Sequence, residues 1–172
     1  MRHGNPQPNR SPRKPVAVSK RPYTGNKDGT AKAKRAGTEW FVRAMRARWK
    51  FRNMGTLVIR DMRGKPGVLS VHATGRAADI GYLVKDRKKA VEIVEWLATN
   101  ADALGIEAIH DYVYGDHGRG WRCDRGKWKI YTAADNAGSG GYWFHIELNP
   151  KMADDAGALS EAWHSIPKPD KA

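Results

Sequence analysis

The chain has 172 residues, 40% of them hydrophobic and seven of them tryptophan, which is enough for one domain with a real core and short for two. Thirty-one Lys+Arg against eighteen Asp+Glu leave a formal charge of +13, so polyanions are the expected partners: nucleic acid, an anionic membrane surface or an anionic cell wall. Cys123 is the single cysteine, which excludes an intramolecular disulfide and a cysteine-based zinc cluster.

Residues 1–36 hold ten Lys+Arg and one acid, Asp28, for a net +9. Pro6, Pro8, Pro12, Pro15 and Pro22, with Gly25 and Gly29, interrupt every helix there. This predicts a flexible basic arm, either an electrostatic tether or a solubilising leader. The stretch MRHGNPQPNR lacks the apolar centre of a secretory signal. No run approaches the roughly 18 apolar residues of a membrane span. A product made in the cytosol, with no membrane span, is expected. The folded domain is expected over 37–166, with a tail at 167–172.

Thr38 is the expected N-cap of a first helix, EWFVRAMRARWKFRNMG, with Gly55 as its stop. Trp40, Phe41, Ala44, Met45 and Trp49 share its apolar face, and arginines take the rest. TLVIR (56–60) has the β-branched content of a strand; DMRGKPG turns the chain, and VLSVHA returns as a second strand. A second helix is expected from about Asp86 to Leu104, ending at Gly105. IEAIHDYVY predicts a strand, 115–126 a glycine-rich loop, and KWKIYT and YWFHIEL two further strands. A short helix near 156–164 closes the domain. Strands broken by helices, with hairpin-like pairs, predict an α+β fold built on a mainly antiparallel sheet with flanking helices.

Within this frame one stretch carries chemistry: SVHATGRAADI, 70–80. An enzymic zinc site needs about three protein ligands, and imidazole with carboxylate suffices. Gly75 lets the chain turn sharply, and Ala77 and Ala78 allow a close backbone approach, so Asp79 can fold back toward His72. His145, in YWFHIEL, is the best distant third ligand, and Glu147 shares its face by the two-residue strand period. A buried histidine bonded to a carboxylate is the competing account of the same spacing. His110 fits a core histidine or a cleft wall. His117 is expected in solvent, and His3 and His164 have no visible partner. Trp121, Trp128 and Trp143 suit either a groove or the core.

Ser70, His72, Gly75, Ala77 and Asp79 match the pattern S-x-H-x-x-G-x-A-x-D at every fixed position. Over roughly residues 50–150 the chain resembles the zinc D-alanyl-D-alanine carboxypeptidase and L-alanyl-D-glutamate endopeptidase superfamily, which includes vancomycin-resistance dipeptidases and many phage endolysins. The resemblance implies that His72, Asp79 and His145 bind one Zn2+, and that Ser70 and Gly75 shape the loop carrying the first two. It also implies hydrolysis of a peptide bond in the peptidoglycan stem peptide. Arg60, with Arg63 as runner-up, and Ser70 are assigned to the substrate side. The basic arm would then favour an anionic wall, reached through a holin pore or from a phage particle.

The family's catalytic acid stands three residues before the last histidine, a place held here by Tyr142. A phenol with a reference pKa of about 10 is a poor base near neutral pH. Glu147, Asp135 or Asp111 are the candidate substitutes. A catalytically silent, metal-stabilised relative that binds the wall or a phage partner is the alternative, as the related domain of hedgehog proteins illustrates. Nucleic-acid binding ranks third, because the chain beyond residue 36 carries only +4 and no base-reading motif.

Overall fold

The computed structural model describes residues 19–169 apart from 136, 138 and 139. The fold is α+β, on a six-stranded antiparallel sheet in the order β1-β4-β8-β5-β6-β7. Its strands are β1 (Arg52–Gly55), β4 (Ala77–Gly81), β5 (Ile106–Asp111), β6 (Arg119–Arg122), β7 (Lys127–Ile130) and β8 (Trp143–Leu148). A separate ribbon pairs β2 (Asp61–Met62) with β3 (Lys65–Leu69). The helices are α1 (Ala36–Trp49), α2 (Arg87–Thr99), α3 (Ala101–Leu104), α4 (Pro150–Asp154) and α5 (Ala156–Ser165).

Strand alternation sorts the sheet into two faces. Ile80 from β4, Phe144 and Ile146 from β8 and Ile109 from β5 point into one apolar core with Phe41, Met45, Ile93, Leu97 and Leu159 of the helices. Four aromatic rings knit the helices: Trp49 lies 5.5 Å from Trp163 and 5.6 Å from Trp96, and Phe41 lies 6.0 Å from Trp163. Asp79, His145 and Glu147 occupy the other face. Trp121 and Trp128 belong to the core side, whereas Trp143 packs 4.6 Å from Tyr112, leaving one of the three tryptophans for a groove.

Several local expectations are corrected. The first helix begins at Ala36 with Arg35 as its N-cap, and it ends at Lys50, whose φ is 61°; Thr38 is buried inside it. Gly55 is the last residue of β1. TLVIR is not a strand. Its polar groups serve the neighbouring turn instead: the Thr56 carbonyl meets His72 Nδ1 at 2.7 Å, and Val58 N–H reaches the His72 carbonyl at 3.4 Å. VLSVHA divides, with Val68 and Leu69 in β3 and Val71–Thr74 in a 3-10 turn. The second helix breaks after Thr99, and the segment 115–126 contains β6.

The arm is the largest correction. Residues 19–35 lie on the domain as a strap. Arg21 pairs with Asp102 at 2.6 Å, and Thr24 Oγ1 donates to Glu107 at 2.7 Å. Arg35 bridges Asp28 and Asp154 at 2.5 and 2.6 Å. Arg76, fully buried, pairs with Asp28 and Glu107, both at 3.1 Å. The strap's acid, Asp28, is therefore an internal counterion. Composition missed this because a few well-placed ion pairs, and not an apolar stripe, hold the segment. Residues 1–18, the rest of the expected arm, lie outside the described residues, as do 170–172 of the tail. The Pro167 carbonyl accepts Trp96 Nε1 at 2.9 Å.

Candidate metal centre

Three elements deliver the three expected ligands. His72 rides the 3-10 turn. Ser70 caps it by accepting His72 N–H at 3.3 Å, and Gly75 ends it at φ 71°. A side chain at Gly75 would also meet Arg35 of the strap at 3.2 Å. Asp79 on β4 is directly opposite His145 on β8, and His145 is opposite His110 on β5. The row Asp79, His145, His110 thus crosses three adjacent strands on one face. His72 Nε2, His145 Nδ1 and Asp79 Oδ1 then form a nearly equilateral triangle, with edges of 3.1, 3.0 and 3.1 Å. His72 is 3% exposed, so this is an interior site with limited access.

The outward hydrogen bonds fix where the protons are. The Thr56 carbonyl can only accept, so His72 Nδ1 carries the proton and leaves Nε2 a bare lone pair. Glu147 Oε1 lies 2.9 Å from His145 Nε2, which holds that proton outward and bares Nδ1. Two imidazole lone pairs and a carboxylate oxygen thus face one another, an arrangement that calls for positive charge at its centre. The buried group His72, Asp79 and His145 can hold a metal ion. Two nitrogens and one oxygen are a donor set that suits zinc.

A proton can also supply that charge. Burial opposes charge on His145, but the hydrogen bonds and charges of Asp79 and Glu147 outweigh it and lift the imidazole to about 9, so a metal ion binding at Nδ1 must displace a proton there. Burial would raise Asp79, yet the bonds to His145 and His72 hold its carboxyl far below the usual range. Glu147 follows the same pattern and is held at about 2, chiefly by His145. His110 is different: burial, aided by the charge of His145, pushes it down to about 4, so it stays neutral.

The remaining expected site residues separate clearly. Glu147 is 4% exposed, with one oxygen on His145 Nε2 and the other accepting from Tyr23 at 2.7 Å. Both of its oxygens are thus engaged, and it lies on the side of His145 away from Asp79, the place of an outer partner that orients a ligand. Asp111 is buried on the helix face, bonded to Arg87 at 2.8 Å and Arg119 at 3.2 Å, which removes it as a substitute acid. Asp135 accepts from Thr132 and pairs with Lys129. Tyr142 is 39% exposed and its ring meets Tyr82 edge-on at 5.9 Å. Ser70 is buried and its hydroxyl accepts His72 N–H, which shapes the loop. Arg60 is exposed, its guanidinium reaching the Asp61 carbonyl at 3.4 Å and its own carbonyl accepting Ser70 N–H at 3.0 Å. Arg63 lies exposed in the turn of the ribbon.

Sequence reasoning missed two supports. Tyr23 comes from a segment read as arm. The pair His110 and Tyr131, 2.6 Å apart, depends on Gly120, where any Cβ would sit 1.8 Å from the Tyr131 hydroxyl. The signal for both was weak: single aromatic residues outside any motif.

Compared with family models, curated proteins and solved structures, the chain matches none.

Proposed function

We propose that the chain is a zinc-dependent peptidase acting on a peptide bond of bacterial peptidoglycan. The observation that carries this reading is the donor triangle of His72, Asp79 and His145 with its protons committed outward. The resemblance of SVHATGRAAD to the peptidoglycan peptidases supplies the substrate class. Zinc, when bound, supplies Lewis acidity toward a peptide carbonyl and toward water. The protein's own part is to bind through His72, Asp79 and His145, and to keep both rings turned inward through the Thr56 carbonyl and Glu147.

A second reading, a metal-held domain that binds the wall without cutting it, is favoured by two facts. Tyr142 stands where the family has its acid, and both Glu147 oxygens are occupied. Purified peptidoglycan of several cross-link types is incubated with protein of verified zinc content, and released peptides are read by mass spectrometry. New termini with the intact chain and none with His72→Ala are expected. Co-sedimentation with the wall and no released peptide would replace the first reading by the second.

A further inference from the structure

We infer that the recess between α1 and β1 is a binding site for a linear phosphodiester polymer without bases, of the poly(glycerol phosphate) kind. The phosphate chemistry stands on the residues alone; the choice of a wall polymer rests on the peptidoglycan reading above. The recess encloses about 740 Å³ and is lined by Arg43, Arg46, Lys50 and Arg52, with Phe51 and Asn53. Arg43, Arg46 and Lys50, at positions i, i+3 and i+7, share one stripe that runs about 10 Å along the helix axis. Lys50 then takes φ 61°, the one positive φ outside glycine among the described residues. That turn brings Arg52 into the same recess.

None of these four cations forms an ion pair with a carboxylate among the described residues: Arg35, Arg76, Arg87, Arg119 and Arg122 do, but Arg43, Arg46, Lys50 and Arg52 do not. The acid of α1, Glu39, is engaged by Lys34 and Thr56. The helix dipole favours cations in the last turn by about 0.3–1 kcal/mol, which accounts for Arg46 and not for four together. Unpaired like charges within a Debye length of about 8–10 Å repel, and a left-handed lysine is strained where glycine is not. Both costs suit a site that an anion completes.

The form of the anion follows from what else lines the recess. Its one ring, Phe51, is 4% exposed, so no aromatic face is presented on which a base could stack. Asn53 spends its carbonyl on Gly55 N–H at 2.9 Å. The recess thus offers phosphate contacts without an aromatic platform for bases; arginine can also meet base edges, and the oligo-dT and duplex DNA measurements below decide that alternative. It opens beside the sheet edge, where Gly55, three residues beyond Arg52, pairs with Asp79. A polymer held there lies along the strand that borders the metal ligands.

The test uses the full chain and two variants that each remove four positive charges. One carries Arg43→Gln, Arg46→Gln, Lys50→Gln and Arg52→Gln; the other carries Arg2→Gln, Arg10→Gln, Arg13→Gln and Lys14→Gln. Binding to purified poly(glycerol phosphate), oligo-dT and duplex DNA is measured at several salt concentrations, with thermal unfolding and zinc content as controls. The recess variant should lose about ten-fold or more in affinity for poly(glycerol phosphate) and show a flatter salt dependence, by about 0.7 per lost contact in log–log slope. Its zinc content should be unchanged, and the N-terminal variant should lose much less. Equal losses in the two variants would reduce the effect to net charge and overturn the site. Equally tight oligo-dT or duplex binding, lost with the same recess, would overturn it in favour of a nucleic-acid interface. Because the assay needs no cleavage, failure of peptide release leaves this result standing, and failure here leaves the peptidase reading standing.

Discussion

On the helix side of the sheet, Ile80, Ile109, Phe144 and Ile146 meet the helices with none of their surface exposed. One residue along the same strands, His145 meets Asp79 on one side and His110 on the other, and Glu147 meets the strap. The first face is held by burial, worth about 1.5–3 kcal/mol for each large apolar side chain. It is non-directional and tolerant of small shifts. The second is held by directional bonds, each of which fixes a proton. Its centre gathers donor atoms that could hold a cation, and the strap stands behind it. One sheet therefore supplies a rigid wall on one side and a tunable ligand set on the other.

Four outcomes would sharpen or break that comparison, from the largest effect to the smallest. Phe144→Ala should cost about 3–5 kcal/mol in denaturant unfolding, with the zinc affinity of the folded fraction unchanged. A large loss of zinc affinity there would mean the two faces are not separable. Tyr23→Phe removes a hydrogen bond to the Glu147 carboxylate and should cost about 1.5–3 kcal/mol, read by the same unfolding; an unchanged midpoint would show that the strap does not brace the site. Glu147→Gln keeps the shape but weakens the hold on the His145 proton. Competition with a chelator should show zinc affinity about 10–100-fold lower, and a wild-type value would remove Glu147 from its positioning role.

The smallest effect concerns acid. Burial opposes charge on Asp102, but hydrogen bonds from Ser19 and Arg21 outweigh it and lower its pKa, and Arg35 lowers that of Asp154. A carboxylate whose pKa is depressed on folding contributes stability above its unfolded value of about 3.9 and loses it as pH falls through the folded value. The amides of Arg21 and Ala31, bonded to the Cys123 and Ala73 carbonyls at 3.0 and 2.8 Å, should therefore exchange hydrogen faster below about pH 4. Corrected for intrinsic rates, they should do so before the amides of β5 and β8. Simultaneous loss of protection in strap and sheet would make them one cooperative unit.

The α+β class, the positions of β5, β7, β8 and α5, and the candidate trio of His72, Asp79 and His145 were legible in the chain itself, because periodicity and a short local motif encode them. His72 and Asp79 are tied by the tight turn at Gly75, and His145 by a strand of aromatic and β-branched residues. The strap was not legible, since its contacts with Asp102, Glu107 and Glu147 span 81 to 124 residues. Nor was the end of TLVIR as a strand, for its hydrogen-bonding groups are claimed by the His72 turn. Glu147 was placed correctly on the face of His145, but period alone could not tell the accessible side of a ligand from its back. Local sequence determined which residues form each element and which share a face. Only the tertiary structure decided which atoms meet across that face, because proton placement, burial and long-range ion pairs depend on partners far apart along the chain.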